Sequence, residues 1–102
     1  MTKAILIGTD RFNLTEIDLD IDPEKNQIMQ IFGSQATFIG QWPDIDVVIL
    51  KSVNEDGDIN KNILPHPFTD TIVYGPILLV RMDENSEPCD FTLKEYKSFR
   101  CR

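Results

Sequence analysis

His66 is the single histidine of the 102-residue chain, and it sits in Pro65-His66-Pro67-Phe68-Thr69-Asp70 with a carboxylate four positions on. An imidazole can serve as a general base near neutral pH if one group orients it and a nucleophile or water faces it. Ser34, Ser52, Thr69 and Cys89 are the candidate nucleophiles, but no spacing along the chain ties any of them to His66. GxSxG and HExxH are missing, and one histidine cannot build a His-rich zinc site. A small hydrolase or ligand-binding protein using His66 and Asp70 is therefore the weakest of three functional readings.

The second constellation is acidic. Glu16, Asp18 and Asp20, with Asp22 beyond them, alternate with Ile17, Leu19 and Ile21. On a strand this spacing lines carboxylates along one face, roughly 7 Å apart. Hard cations draw ligands from curved loops or several elements, so a flat ladder is a poor metal site. Two readings remain: a solvated face that discourages edge-to-edge pairing, or a recognition stripe for a basic partner. Evenly spaced carboxylates also fit a DNA mimic or anti-defence inhibitor filling the basic cleft of a nucleic-acid enzyme, although mimics of this size usually carry more charge.

Other motifs exclude more than they offer. Asn54-Glu55-Asp56-Gly57-Asp58 resembles a calcium loop, but with Gly57 as sixth residue the twelfth is Ile63, where a bidentate glutamate is required. Gly8-Thr9-Asp10 has one glycine and no following Lys-Ser/Thr, so it is no phosphate loop. No cofactor or metal is expected. Trp42 precedes Pro43 at an expected hairpin tip, where a half-exposed indole would anchor an interface. Phe68 and Tyr74 fall in the irregular stretch 59–75, which Pro65 and Pro67 keep out of regular structure. Long irregular stretches in small domains are often functional, so His66, Phe68 and Tyr74 are binding-loop candidates.

The elements that must hold these residues follow from periodicity. Lys3–Gly8 reads as a buried strand and 15–21 as a half-solvated one, antiparallel to it because the connection is too short for a crossover. Asp22-Pro23-Glu24 is a helix start, Ile28, Met29, Ile31 and Phe32 its apolar face, and Gly33 its stop. Strands 36–41 and 46–51 flank Trp42-Pro43-Asp44, and Pro76–Met82 is another buried strand. Cys89-Asp90-Phe91 is a short extended piece after the turn at 83–88. Thr92-Leu93-Lys94-Glu95 fits a capping box ahead of a last helix that carries Leu93, Tyr96 and Phe99 on one stripe. The order β-β-α-β-β-loop-β-(β)-α predicts an α+β fold: a small, mainly antiparallel sheet with two helices on one side.

Length and composition set the remaining bounds. One globular domain, 1–102, is expected, with enough chain for a core without staples. The longest apolar runs have four and five residues, too short for a membrane span or a signal core, so an intracellular, cytoplasmic chain is expected. Cys89 and Cys101 then read as free thiols. Ten basic and 17 acidic residues give a net charge of −7, which argues against direct binding to a nucleic-acid backbone. Residues 92–102 carry +3 and residues 1–91 carry −10, so the body of the molecule is distinctly negative.

The opening Lys3-Ala4-Ile5-Leu6-Ile7, the helix end Ile31-Phe32-Gly33, and the phrases from Tyr74 to Glu84 and from Asp90 to Tyr96 resemble small domains of unknown function from phages, large DNA viruses, algae and mobile elements. The resemblance implies a fold and a viral or mobile-element setting, and it transfers no catalytic residue. Taken together, the sequence points to a non-enzymatic protein-binding module with an acidic surface. Its expected partner is a basic protein, its candidate contacts are Glu16, Asp18, Asp20, Trp42, His66, Phe68 and Tyr74, and its sheet edges could pair two copies into a homodimer.

Overall fold

A computed structural model describes residues 2–11, 13–20, 24–25, 27–54, 57–85 and 87–100. Strand β1 (Thr2–Ile7) turns back into β2 (Leu14–Leu19), followed by the short helix α1 (Gln27–Phe32). Strands β3 (Ala36–Trp42) and β4 (Val47–Ser52) flank a 3-10 turn at Pro43–Ile45. After the irregular segment come β5 (Ile77–Met82), β6 (Pro88–Cys89) and helix α2 (Leu93–Arg100). The sheet runs β2-β1-β5-β4-β3, with β6 pairing β5 off this path, and every pairing is antiparallel. The α+β order expected from periodicity is the order found.

One expectation is corrected: the helices pack on opposite faces of the sheet. Ile5, Ile7, Val47, Ile49, Ile77 and Leu79 meet Tyr96, Leu93 and Phe99 of α2, together with Trp42, Leu64, Val73 and Phe91. Ala4, Leu19, Leu78 and Val80 face the other way, toward Ile28, Ile31 and Phe32 of α1. The reason lies in the two inner strands. Residues 77–80 of β5 are all buried, and β1 alternates between the two clusters, so both faces must be covered to keep apolar surface from water.

Local boundaries have local causes. Helix α1 begins at Gln27, later than the Asp22-Pro23-Glu24 signal, of which Asp22 and Pro23 lie outside the described residues. It stops where Gly33 takes φ +69°, the left-handed conformation glycine adopts without a Cβ clash. The capping box before α2 forms as expected: Thr92 Oγ1 accepts the Glu95 N–H at 3.2 Å, and the Glu95 carboxylate accepts the Thr92 N–H at 3.4 Å. Strand β3 carries a bulge between Phe38 and Gly40, which turns its far end so that Ile39 and Trp42 both join the α2-side core.

Segment 59–75 is irregular apart from one bridge, Ile59 to Tyr74, and closes over the α2-side core through Leu64, Phe68 and Val73. Asparagines replace sheet pairing as its anchor. Asn60 is buried and donates its amide to the Gly75 and Ile7 carbonyls at 2.9 and 3.3 Å. Asn62 donates to the Gly8 and Asp10 carbonyls at 2.9 and 2.8 Å. These bonds tie the segment to the end of β1, to the turn that follows it and to the segment's own end at Gly75.

Candidate functional site

The acidic ladder is shorter and busier than its spacing suggests. Strand β2 ends at Leu19, so Asp20 lies just past it, and Asp22 falls outside the described residues. Glu16 and Asp18 share Lys3 of the neighbouring strand at 3.6 and 3.7 Å, because Lys3 stands directly opposite Asp18 in the register. Glu16 also accepts the backbone N–H of Leu93 at 2.9 Å, anchoring the start of α2. Asp20 pairs with Lys25 at 2.9 Å. Each of these carboxylates has a partner within the fold, and Asp18 remains largely exposed beside Lys3.

Topology gathers a different acidic surface. Thr2 of β1, Trp42 of β3, Val47 of β4 and Met82 of β5 all lie at one end of the sheet. The turn after β3 and the turn after β5 therefore sit side by side, joined by the Met82 N–H donating to the Asp46 carbonyl at 2.8 Å. They present Asp44, Asp46, Glu84 and Glu87, all exposed and none in an ion pair among the described residues. Asp83 instead turns inward on its own loop, accepting the N–H groups of Asn85 and Glu87 at 2.9 Å. Arg81 of β5, beside this end, is committed: it pairs with Glu95 at 2.7 Å, donates to the Ile45 and Asp90 carbonyls, and lies over the Phe91 ring.

The aromatic candidates are placed differently from expectation. Trp42 is 2% exposed, packed among Phe68, Tyr96 and Phe99 with ring centroids 5.9, 6.4 and 5.2 Å away. It is a core residue and cannot anchor an interface; the bulge in β3 is what turns it inward. Phe68 is half-buried against Gly40 and Trp42, and Tyr74 is half-buried beside its bridge to Ile59. His66 stays exposed, and no hydrogen bond or ion pair joins it to Asp70. Cys89 is a free thiol, and Cys101 lies outside the described residues.

At the opposite end of the sheet lies a feature that spacing did not reveal. The β1–β2 turn, the Lys61–Ile63 segment and the last turn of α2 form a half-open cavity of about 360 Å³, lined by Arg11, Leu14, Lys61, Asn62, Ile63, Tyr96 and Arg100. Three of its lining residues are cations and none is a carboxylate, in a chain of net charge −7. Lys61 and Arg100 make no ion pair among the described residues, and Arg100 stacks over the Tyr96 ring at 5.8 Å. A second cavity of about 540 Å³ adjoins it through Ile63 and Arg100 and reaches His66 and Phe99. The cations come from positions 11, 61 and 100, so only the tertiary fold brings them together.

Among the described residues no helix is long and apolar enough to cross a membrane. In comparisons with known proteins, a family model described as a family of unknown function, DUF5880, matches residues 5–99. No curated protein and no solved structure matches the chain.

Proposed function

We propose that this chain, which belongs to the DUF5880 family of unknown function, is a non-enzymatic module that binds a basic protein through the acidic end of its sheet. One observation carries this reading. Asp44, Asp46, Glu84 and Glu87 lie exposed on two adjacent turns and make no ion pair among the described residues, while Glu16, Asp18 and Asp20 are partnered by Lys3, Lys25 and the start of α2. A surface of one charge sign steers an oppositely charged partner and sets the salt dependence of association. The free Cys89 thiol suits an intracellular setting, and a viral or mobile-element origin would make a host protein the natural partner.

Affinity capture with the wild-type chain and with the quadruple variant D44N/D46N/E84Q/E87Q tests the proposal. The wild type should retain a stoichiometric basic protein at low and moderate salt, and the variant, with an unchanged melting curve, should lose it. Equal retention by both chains, or no stoichiometric partner for either, refutes the acidic-end reading. Hydrolytic function would instead show as a His66 imidazole whose NMR titration responds to an Asp70→Asn substitution.

A further inference from the structure

The cavity at the opposite end of the sheet is independent of that reading. Its walls are held by bonds that have nothing to do with a ligand. The Lys61 N–H donates to the Thr9 carbonyl at 2.9 Å, and Asn62 donates to the carbonyls on either side of it, those of Gly8 and Asp10. Within that turn the Gly8 N–H donates to Asn13 and the Asn13 N–H to Asp10, which positions the Arg11 backbone. The cationic side chains are thus presented by a backbone that is already organised, the condition under which binding costs least in lost freedom.

Tyr96 supplies the second observation. The residue is 1% exposed, yet it lines the cavity, and its hydroxyl makes no hydrogen bond among the described residues. The hydroxyl opens into the cavity beside the cationic side chains, where a phenol can donate to an acceptor placed there. Burial pushes the Tyr96 phenol up to about 12, with the Arg100 charge opposing, so at neutral pH it is protonated and can donate. Both signs agree: the cavity offers positive charge and a hydrogen-bond donor, and it asks for an oxyanion. Because α2 ends here, its dipole contributes negative potential, so the attraction must come from the side chains.

A volume of about 360 Å³ exceeds what a bare oxyanion fills, and Leu14 and Ile63 leave an apolar wall that continues toward Phe99 and His66. We infer that the cavity binds a small organic phosphomonoester, its phosphoryl oxygens held by Lys61, Arg100 and Arg11 beside the Tyr96 hydroxyl, and its apolar or aromatic part lying over Ile63 toward Phe99. A phosphomonoester is favoured over a carboxylate because a near-dianion with three terminal oxygens can engage several cations at once, and the guanidinium fork matches that geometry.

Titration of the isotopically labelled full chain by NMR, with phenyl phosphate, inorganic phosphate and benzoate as separate probes, decides the matter. Phenyl phosphate should give saturable shifts confined to residues 8–14, 60–66 and 96–100, with affinity about tenfold or more above either other probe. K61Q and R100Q, checked for unchanged spectra elsewhere, should each weaken it by about tenfold, and Y96F by a few-fold. Absence of saturable shifts at about 10 mM phenyl phosphate overturns the inference. So does benzoate binding as tightly, or undiminished phenyl phosphate binding in both K61Q and R100Q.

Discussion

The carboxylate of Glu16 on β2 accepts the backbone N–H of Leu93, the first residue of α2, at 2.9 Å. The same carboxylate lies 3.6 Å from Lys3 Nζ, so one side chain ties an edge strand, its inner neighbour and the last helix. A helix start leaves N–H groups without intrahelical partners, and an anion there satisfies both the donor and the dipole. Glu16→Ala should lower unfolding stability by about 1 kcal/mol, with Glu16→Gln losing less because the amide oxygen still accepts. Urea denaturation at unchanged m reads this directly, and an unshifted Glu16→Ala midpoint would show that the contact contributes nothing.

Glu95 links stability to acid pH. Burial pushes its carboxyl up, but the Arg81 hydrogen bond and charge, with two bonds from Thr92, outweigh that and hold it below the ordinary 4.5. A folded-state value below the unfolded one gives stability that is complete above the unfolded value and is lost as pH falls through the folded value. Glu95→Gln should therefore flatten the decline in stability below about pH 4.5. At 43% exposure the side chain is screened by solvent, so the loss at neutral pH should be about 0.5 kcal/mol or less. An acid limb of the stability curve that is identical in wild type and variant would contradict this.

Gly40 follows the β3 bulge, and a Cβ built there would run into the Phe68 ring. Phe68 in turn meets Trp42 edge-on at 5.9 Å, so the close approach fixes how segment 59–75 seats on the core. Gly40→Ala should cost about 1–3 kcal/mol by overpacking and alter Trp42 fluorescence. In a Phe68→Ala background the same change should cost much less, giving a coupling energy of about 1 kcal/mol or more in a double-mutant cycle. Additive effects would mean that the ring and the glycine do not constrain each other.

Strand and helix types were legible because they depend on local periodicity and caps: the Thr92 and Glu95 box, the Gly33 stop and the apolar runs of β1 and β5 all act within a few residues. The placement of the helices was less so. Continuous apolar strands demand cover on both faces, and that demand outranks the habit of α+β folds to keep helices together. Trp42 was misplaced because a bulge shifts alternation by one residue, and nothing at Phe38-Ile39-Gly40 announces it except the glycine. The carboxylates of β2 were visible as a pattern, but their partners Lys3 and Leu93 come from elsewhere in the chain. The cationic cavity was invisible for the same reason, since Arg11, Lys61 and Arg100 share no sequence neighbourhood.

Asn60 tests the polar anchor that holds Lys61 in place. Its amide donates to the Gly75 and Ile7 carbonyls, while its side-chain oxygen accepts the Asn62 N–H at 2.9 Å, so donor and acceptor are both used in a buried position. Asn60→Ala strands these groups and should cost about 1–3 kcal/mol. Asn60→Asp keeps the shape and the acceptor but turns a carboxylate toward two carbonyl oxygens, so burial and repulsion should raise its folded pKa above the unfolded value of about 3.9. A raised carboxyl is destabilising once the pH exceeds the unfolded value, and the penalty is relieved as the pH falls, because the neutral acid can donate one hydrogen bond. Asn60→Asp should therefore be less stable than Asn60→Ala at pH 7 and recover relative to it at about pH 4 in urea denaturation. A deficit of Asn60→Asp relative to Asn60→Ala that does not change with pH would show that the aspartate escapes to solvent and that the amide does not hold the two carbonyls.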